Sequence, residues 1–148
     1  MEERQAQTPM RNLPKPNNIF AIDLNTDKDF FKWWCIFLRP FVHLSNREID
    51  VAAGFLKYRW LLTQQFKDPV VVDTMLMSDA VKKKITEECN ITLQHLYVVM
   101  NNLRKHNVIV NNNINPRLIP NVRQDDRGNF QLLILFKGMD MSINYDLS

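Results

Sequence analysis

Glycine is nearly missing from this 148-residue chain: Gly54, Gly128 and Gly138 are all it has. Three scattered glycines leave no loop to cradle a nucleotide phosphate, and neither a nucleophile elbow nor a metalloprotease helix is spelled out. Cysteine is as sparse. Cys35 and Cys89 are distant from one another and embedded in apolar helical patterns, so two buried thiols in a reducing compartment are expected rather than a disulfide. His43, His95 and His106 sit in unrelated contexts, none with Cys, Asp or Glu at zinc-ligand spacing. The acidic pairs Glu87-Glu88 and Asp125-Asp126 fall at a polar helix end and in a turn, where solvated charge is the simplest reading. No acid, base and nucleophile converge, so the expectation is a protein that is not an enzyme, with no cofactor, metal or small-molecule substrate. Long hydrophobic runs are missing too. The longest, Trp33 to Leu38, falls far short of the ~20 residues needed to cross a bilayer, and MEERQAQTPMRN has no apolar signal core; neither membrane insertion nor export is expected.

What is present suits one globular domain, with 45% hydrophobic and 24% charged residues. The net charge of +3 is concentrated. Between residues 78 and 122, Lys82, Lys83, Lys84, Arg104, Lys105 and Arg117 face only Asp79, Glu87 and Glu88, while the rest of the chain balances. That is a weak basic bias for a nucleic-acid binder, and three successive helical lysines are most often a solvated face.

Residues 1–18, with Pro9, Pro14, Pro16 and no periodicity, read as an extended arm. Thr26 is a candidate helix cap followed by Asp27 and Asp29, and FFKWWCIFLRPF then forms an aromatic helix ended by Pro40. This helix is apolar on more than one face. Phe30, Phe31, Trp33, Trp34, Phe37 and Phe41 are therefore candidates for a protein interface, with a helix sandwiched in the core as the equal alternative. Ser45-Asn46-Arg47-Glu48 is a capping box, opening a helix with Ile49, Ala52, Ala53, Leu56 and Trp60 on one stripe and running to about Leu62. Val70 to Met77 is an apolar link whose form the pattern leaves open.

Ser78 caps a second helix with Val81, Ile85 and Cys89 on its buried side. Asn90 then provides a left-handed turn, Ile91 plugs the gap and Thr92 caps a third helix. On that helix Leu96, Val99, Met100 and Leu103 make the core face, and Asn107 ends it. Strand-like stretches follow at Val108–Val110, Ile114, Leu118–Pro120 and Phe130–Phe136, with turns at Asn111–Asn113 and Gln124–Asn129. The expected fold is mainly α with a small β-hairpin (α+β): a winged helix-turn-helix preceded by an extended N-terminal arm and an aromatic helix. Its divisions are the arm, 1–18, a single domain, 19–137, and a tail, 138–148.

A helix-turn-helix reading DNA would place Gln94, His95 and Asn101 at base edges, with Tyr97 beside them. Lys82, Lys83, Lys84, Arg104, Lys105, Arg117 and a wing arginine, Arg123 or Arg127, would then meet phosphates. The third helix has no arginine at its start for guanine readout, and use of the same fold as a packing module carries equal weight.

The stretch PNNIFAIDLNTDKDFFKWWCIFLRPFVHLSNREIDVAAGFLKYRW, with ITLQHLYVVMNNLRKHNVI and INPRLIPNV, resembles a small protein of crAss-like tailed bacteriophages infecting gut Bacteroides. The resemblance covers about residues 14–137, and NREID and INPRLIP carry most of it. It implies a structural or DNA-associated role, foremost that of a virion protein made in the host bacterial cytoplasm and placed in a ring or collar of the neck and tail region. Its partners would be further copies in a homo-oligomeric ring and adjacent virion proteins, joined through the arm and the aromatic helix. A winged helix-turn-helix transcriptional regulator that binds DNA is the alternative.

Overall fold

The computed structural model describes residues 21–25, 28–124, 126–131 and 138. The arm at 1–18 and nearly all of the tail at 138–148 lie outside them, as do Thr26, Asp27 and the run 132–137. Among the described residues five helices are followed by two short antiparallel hairpins, a mainly helical α+β arrangement.

Helix α1, Phe30–Phe37, starts one turn later than a Thr26 cap would place it. Asp29 is the cap instead: its carboxylate accepts the Lys32 amide, which an aspartate does as well as a threonine. The helix gives way to a turn at Leu38, because Pro40 disfavours helical backbone at Arg39. Ser45 opens α2, Asn46–Gln65, with both halves of the capping box formed. Its hydroxyl accepts the Glu48 amide, and Glu48 Oε1 accepts the Ser45 amide at 2.8 Å. Ile49, Ala52, Ala53 and Leu56 are buried as the stripe requires, but so are Val51 and Phe55. The helix is thus covered on two sides, with α1 and α3 packing on it as well as α4 and α5.

The apolar link after Phe66 is helix α3, Pro69–Leu76. Asp68 caps it through the Val70 amide, and Pro69, at the first helical position, gives up an amide that would have no helical partner there. Helix α4, Asp79–Cys89, is capped by Ser78, and α5, Leu93–Lys105, by Thr92. Asn90 joins them at φ 54° and ψ 50°, the left-handed conformation its place in the turn demands. Gly54 on α2 faces Ile85 of α4, where a Cβ would meet the isoleucine at 3.4 Å, an ordinary contact.

After α5, strand β1, Ile109–Val110, pairs antiparallel with β2, Asn113–Ile114. The intervening Asn111 and Asn112 both have positive φ, 53° and 61°, as a two-residue type I′ turn requires. The Leu118–Pro120 stretch, expected as strand, is instead approached through a 3-10 turn, Pro116–Leu118. Asn115 Oδ1 accepts the Arg117 amide and Pro116 occupies the first position with φ preset, so the chain winds up locally before it can extend. Strands β3, Arg123–Gln124, and β4, Phe130–Gln131, form the second hairpin, with Gly128 at φ 81° in its turn. One core, with Val51, Phe55, Ile85, Leu96 and Leu103 among its most buried members, joins all five helices and the first hairpin.

Candidate interaction surfaces

The six aromatic side chains expected to form one interface are divided by the structure. Phe30 and Phe31 belong to the chain's own core, packed edge to face at 5.3 Å, so they cannot present a docking face while the domain is folded. Trp34 is half-buried, and its indole N–H donates to the Leu118 carbonyl at 2.7 Å, fastening α1 to the segment after the first hairpin. These three are corrections to the interface reading. They follow from α1 lying against α2, where helical spacing turns positions 30, 31 and 34 inward together. Phe37 and Phe41 remain exposed, while Trp33 is half-buried. Trp33 and Phe37 stack at 6.1 Å, Lys28 Nζ stands 4.7 Å from the Trp33 ring, and Phe41 is 81% exposed. The Trp33 Nε1–H is buried without an acceptor among the described residues. An orphan indole donor costs stability unless something satisfies it.

The eight residues considered for DNA contact all lie on α4 and α5, but not as one basic face. Lys82 leans onto α5, its Nζ 5.3 Å from the Tyr97 ring. Lys84 points the other way, 5.9 Å from the Tyr58 ring on α2. There it joins Lys57, whose Nζ bonds Glu88 Oε1 at 2.7 Å. Burial, then the hydrogen bond and charge of Glu88, push the Tyr58 hydroxyl up to about 12. Lys83 is exposed between the two. Gln94 and His95 are exposed in the first turn of α5, Asn101 midway, and Arg104 and Lys105 in the last turn, where cations complement the helix dipole. Arg117 is exposed in the 3-10 turn.

Interleaved with these polar groups are apolar ones. Leu93 and Tyr97 are about half exposed and Val98 is 56% exposed, so the outward side of α5 is a mixed apolar surface with cations at its margin. Helix α3 carries a second apolar surface, with Val70 71% exposed and Val71 and Met75 beside it. A signal for α3 was present: of its eight residues only Asp73 and Thr74 are polar, which leaves no polar side to give to water. Between α3 and the Asn111–Asn113 turn lies a cleft of about 450 Å³ with Asp73 and Thr74 on its wall. A smaller cleft of about 240 Å³ runs between Arg59, Trp60 and Thr63 of α2 and the Ile119–Val122 segment.

Among the described residues no three His, Cys, Asp or Glu side chains group as metal ligands, and no helix is long and apolar enough to cross a membrane. Burial, with the Asp29 carboxylate adding to it, pushes the Cys35 thiol up to about 12, and Cys89 is raised by burial and by Asp50. Both thiols are free. No known protein family, no curated protein and no solved structure matches the chain.

Proposed function

We propose that this chain is a non-enzymatic structural protein that works by protein–protein contact, as a winged helix-turn-helix module used for packing rather than for reading bases. In this reading α2, α4 and α5 are the three-helix unit, Asn90 its sharp turn and the hairpins its wing. The observation that carries the reading is the outer side of α5, where a base-reading helix would present arginine and asparagine to a groove. Leu93, Tyr97 and Val98 stand there among Gln94, His95 and Asn101, with no arginine before Arg104, and exposed apolar side chains grouped in this way are typical of a protein interface. Exposed Phe37 at the end of α1 and Phe41 in the turn after it add a further apolar surface. With the resemblance to proteins of crAss-like tailed phages, the setting that fits is a homo-oligomeric ring or collar of the neck and tail region, contacting adjacent virion proteins.

Mass spectrometry of purified particles tests the setting: copies of the chain at a fixed ratio to the other virion proteins are expected. A chain missing from particles and monomeric at every concentration would end this reading. A DNA-binding regulator remains as a second reading because Gln94 and His95 are exposed in the first turn of α5, on the helix against which Lys82 leans. It requires duplex affinity that falls steeply with salt and drops further in a Lys82→Ala, Arg104→Ala double variant.

A further inference from the structure

Helices α3 and α5 both pack on α2, and among the described residues each leaves an apolar side uncovered. Their surroundings carry opposite charge. From residue 67 to residue 79 there are three carboxylates, Asp68, Asp73 and, at the start of α4, Asp79, against the single cation Lys67. The α5 surface is flanked by Lys82 from α4 and ends in Arg104 and Lys105. The α3 side also has a receptacle, the cleft walled by Val70, Asp73, Thr74 and the asparagine turn, which suits a cationic or aromatic side chain.

We propose that the α5 face of one copy docks on the α3 face of the next, so that this chain self-associates head to tail. Val98, Tyr97 and Leu93 cover Val70, Val71 and Met75, while Arg104 and Lys105 approach Asp73 and Asp68. Covering the exposed Val70, Val71 and Met75 takes apolar surface out of water, and the charge rims favour the α5 face as the cover. Because the complementary patches lie on different helices, each contact leaves one α3 face and one α5 face open, which is the heterologous interface from which rings and filaments grow. The inference rests on the structural, self-assembling reading above and specifies its contact.

The test is sedimentation of the full chain over a concentration and salt series. Wild-type protein is expected to associate beyond the dimer, more weakly at high salt. Asp73→Lys and the Arg104→Glu, Lys105→Glu double variant should each weaken association roughly tenfold or more, since like charges are then opposed. Mixing the two should restore it, because one chain keeps an intact α5 face and the other an intact α3 face. Circular dichroism confirms folding, and Val70→Gln, at a position 71% exposed, replaces Asp73→Lys if that variant melts. Association untouched by any of these substitutions would overturn the α3–α5 contact and leave the self-assembly reading standing. A wild-type chain that is monomeric throughout would overturn both. A closed dimer, or α5 substitutions that abolish duplex binding without changing sedimentation, would overturn the head-to-tail arrangement and the choice of partner respectively.

Discussion

Asn90 is held in the left-handed region between α4 and α5, and its amide and that of Ile91 bond back to Glu87 and Thr86. A residue with a Cβ and no compensating polar group is strained there, so Asn90→Ala should lower the unfolding free energy by about 1 kcal/mol. Asn90→Gly should change it by less than about 0.5 kcal/mol, because glycine adopts the same angles without penalty. Urea midpoints of the two variants check the pair, and equal losses would mean that the amide side chain, not the backbone angle, matters. Cys35 makes a pH-dependent prediction. Its thiol, 1% exposed, keeps its proton up to about 12 when folded, against 9.0 for an ordinary thiol. Above pH 9.0 the unfolded chain therefore loses a proton that the folded chain retains. Stability falls as pH rises from there toward 12, and Tyr58, also raised, adds to the fall in the same direction. Cys35→Ala should flatten that alkaline decline in thermal melts, and with native protein at pH 8 a thiol reagent should label half-buried Cys89 well before Cys35.

The caps of the helices were legible as strings of residues, since Ser45-x-x-Glu48, Ser78 and Thr92 satisfy orphan amides by purely local geometry. The core face of α5 was legible for a similar reason, because it packs on one side only. Helix α2 was read incompletely: a single stripe predicts one buried face, and nothing local reveals that Val51 and Phe55 face neighbours on a second side. The 3-10 turn at Pro116–Leu118 was missed because the β-favouring Leu118-Ile119 pair outweighed the Asn115-Pro116 cap before it. That turn now depends on a contact 84 residues away, the Trp34 indole on the Leu118 carbonyl. Trp34→Phe keeps most of the ring but removes the donor, leaving a half-buried carbonyl unpaired. A loss of about 1–3 kcal/mol is expected, read from denaturant unfolding, with amide exchange rising first in residues 116–122. A value near zero would mean that water takes over the carbonyl.

At the scale of the whole molecule, the division of the aromatic residues explains why composition alone could not locate the contact surface. Aromatic side chains serve cores and interfaces equally well, and only the placement of α1 against α2 separates Phe30 and Phe31 from Phe37 and Phe41. The separation makes two classes of variant behave differently. Phe31→Ala empties part of the core and should cost about 3–5 kcal/mol, enough to unfold a domain of ordinary stability at moderate temperature. Phe41→Ser removes a ring that is 81% exposed and should leave the melting curve within about 0.5 kcal/mol of wild type. If the outer side of α1 takes part in assembly, the same Phe41→Ser chain, fully folded, should be depleted from particles or sediment as smaller species, whereas Phe31→Ala should fail in both respects together. Normal melting with normal assembly would remove α1 from the contact and leave α3 and α5 as the surfaces through which copies meet. Loss of stability in Phe41→Ser would instead place that ring inside the fold, against residues of the chain outside those described here.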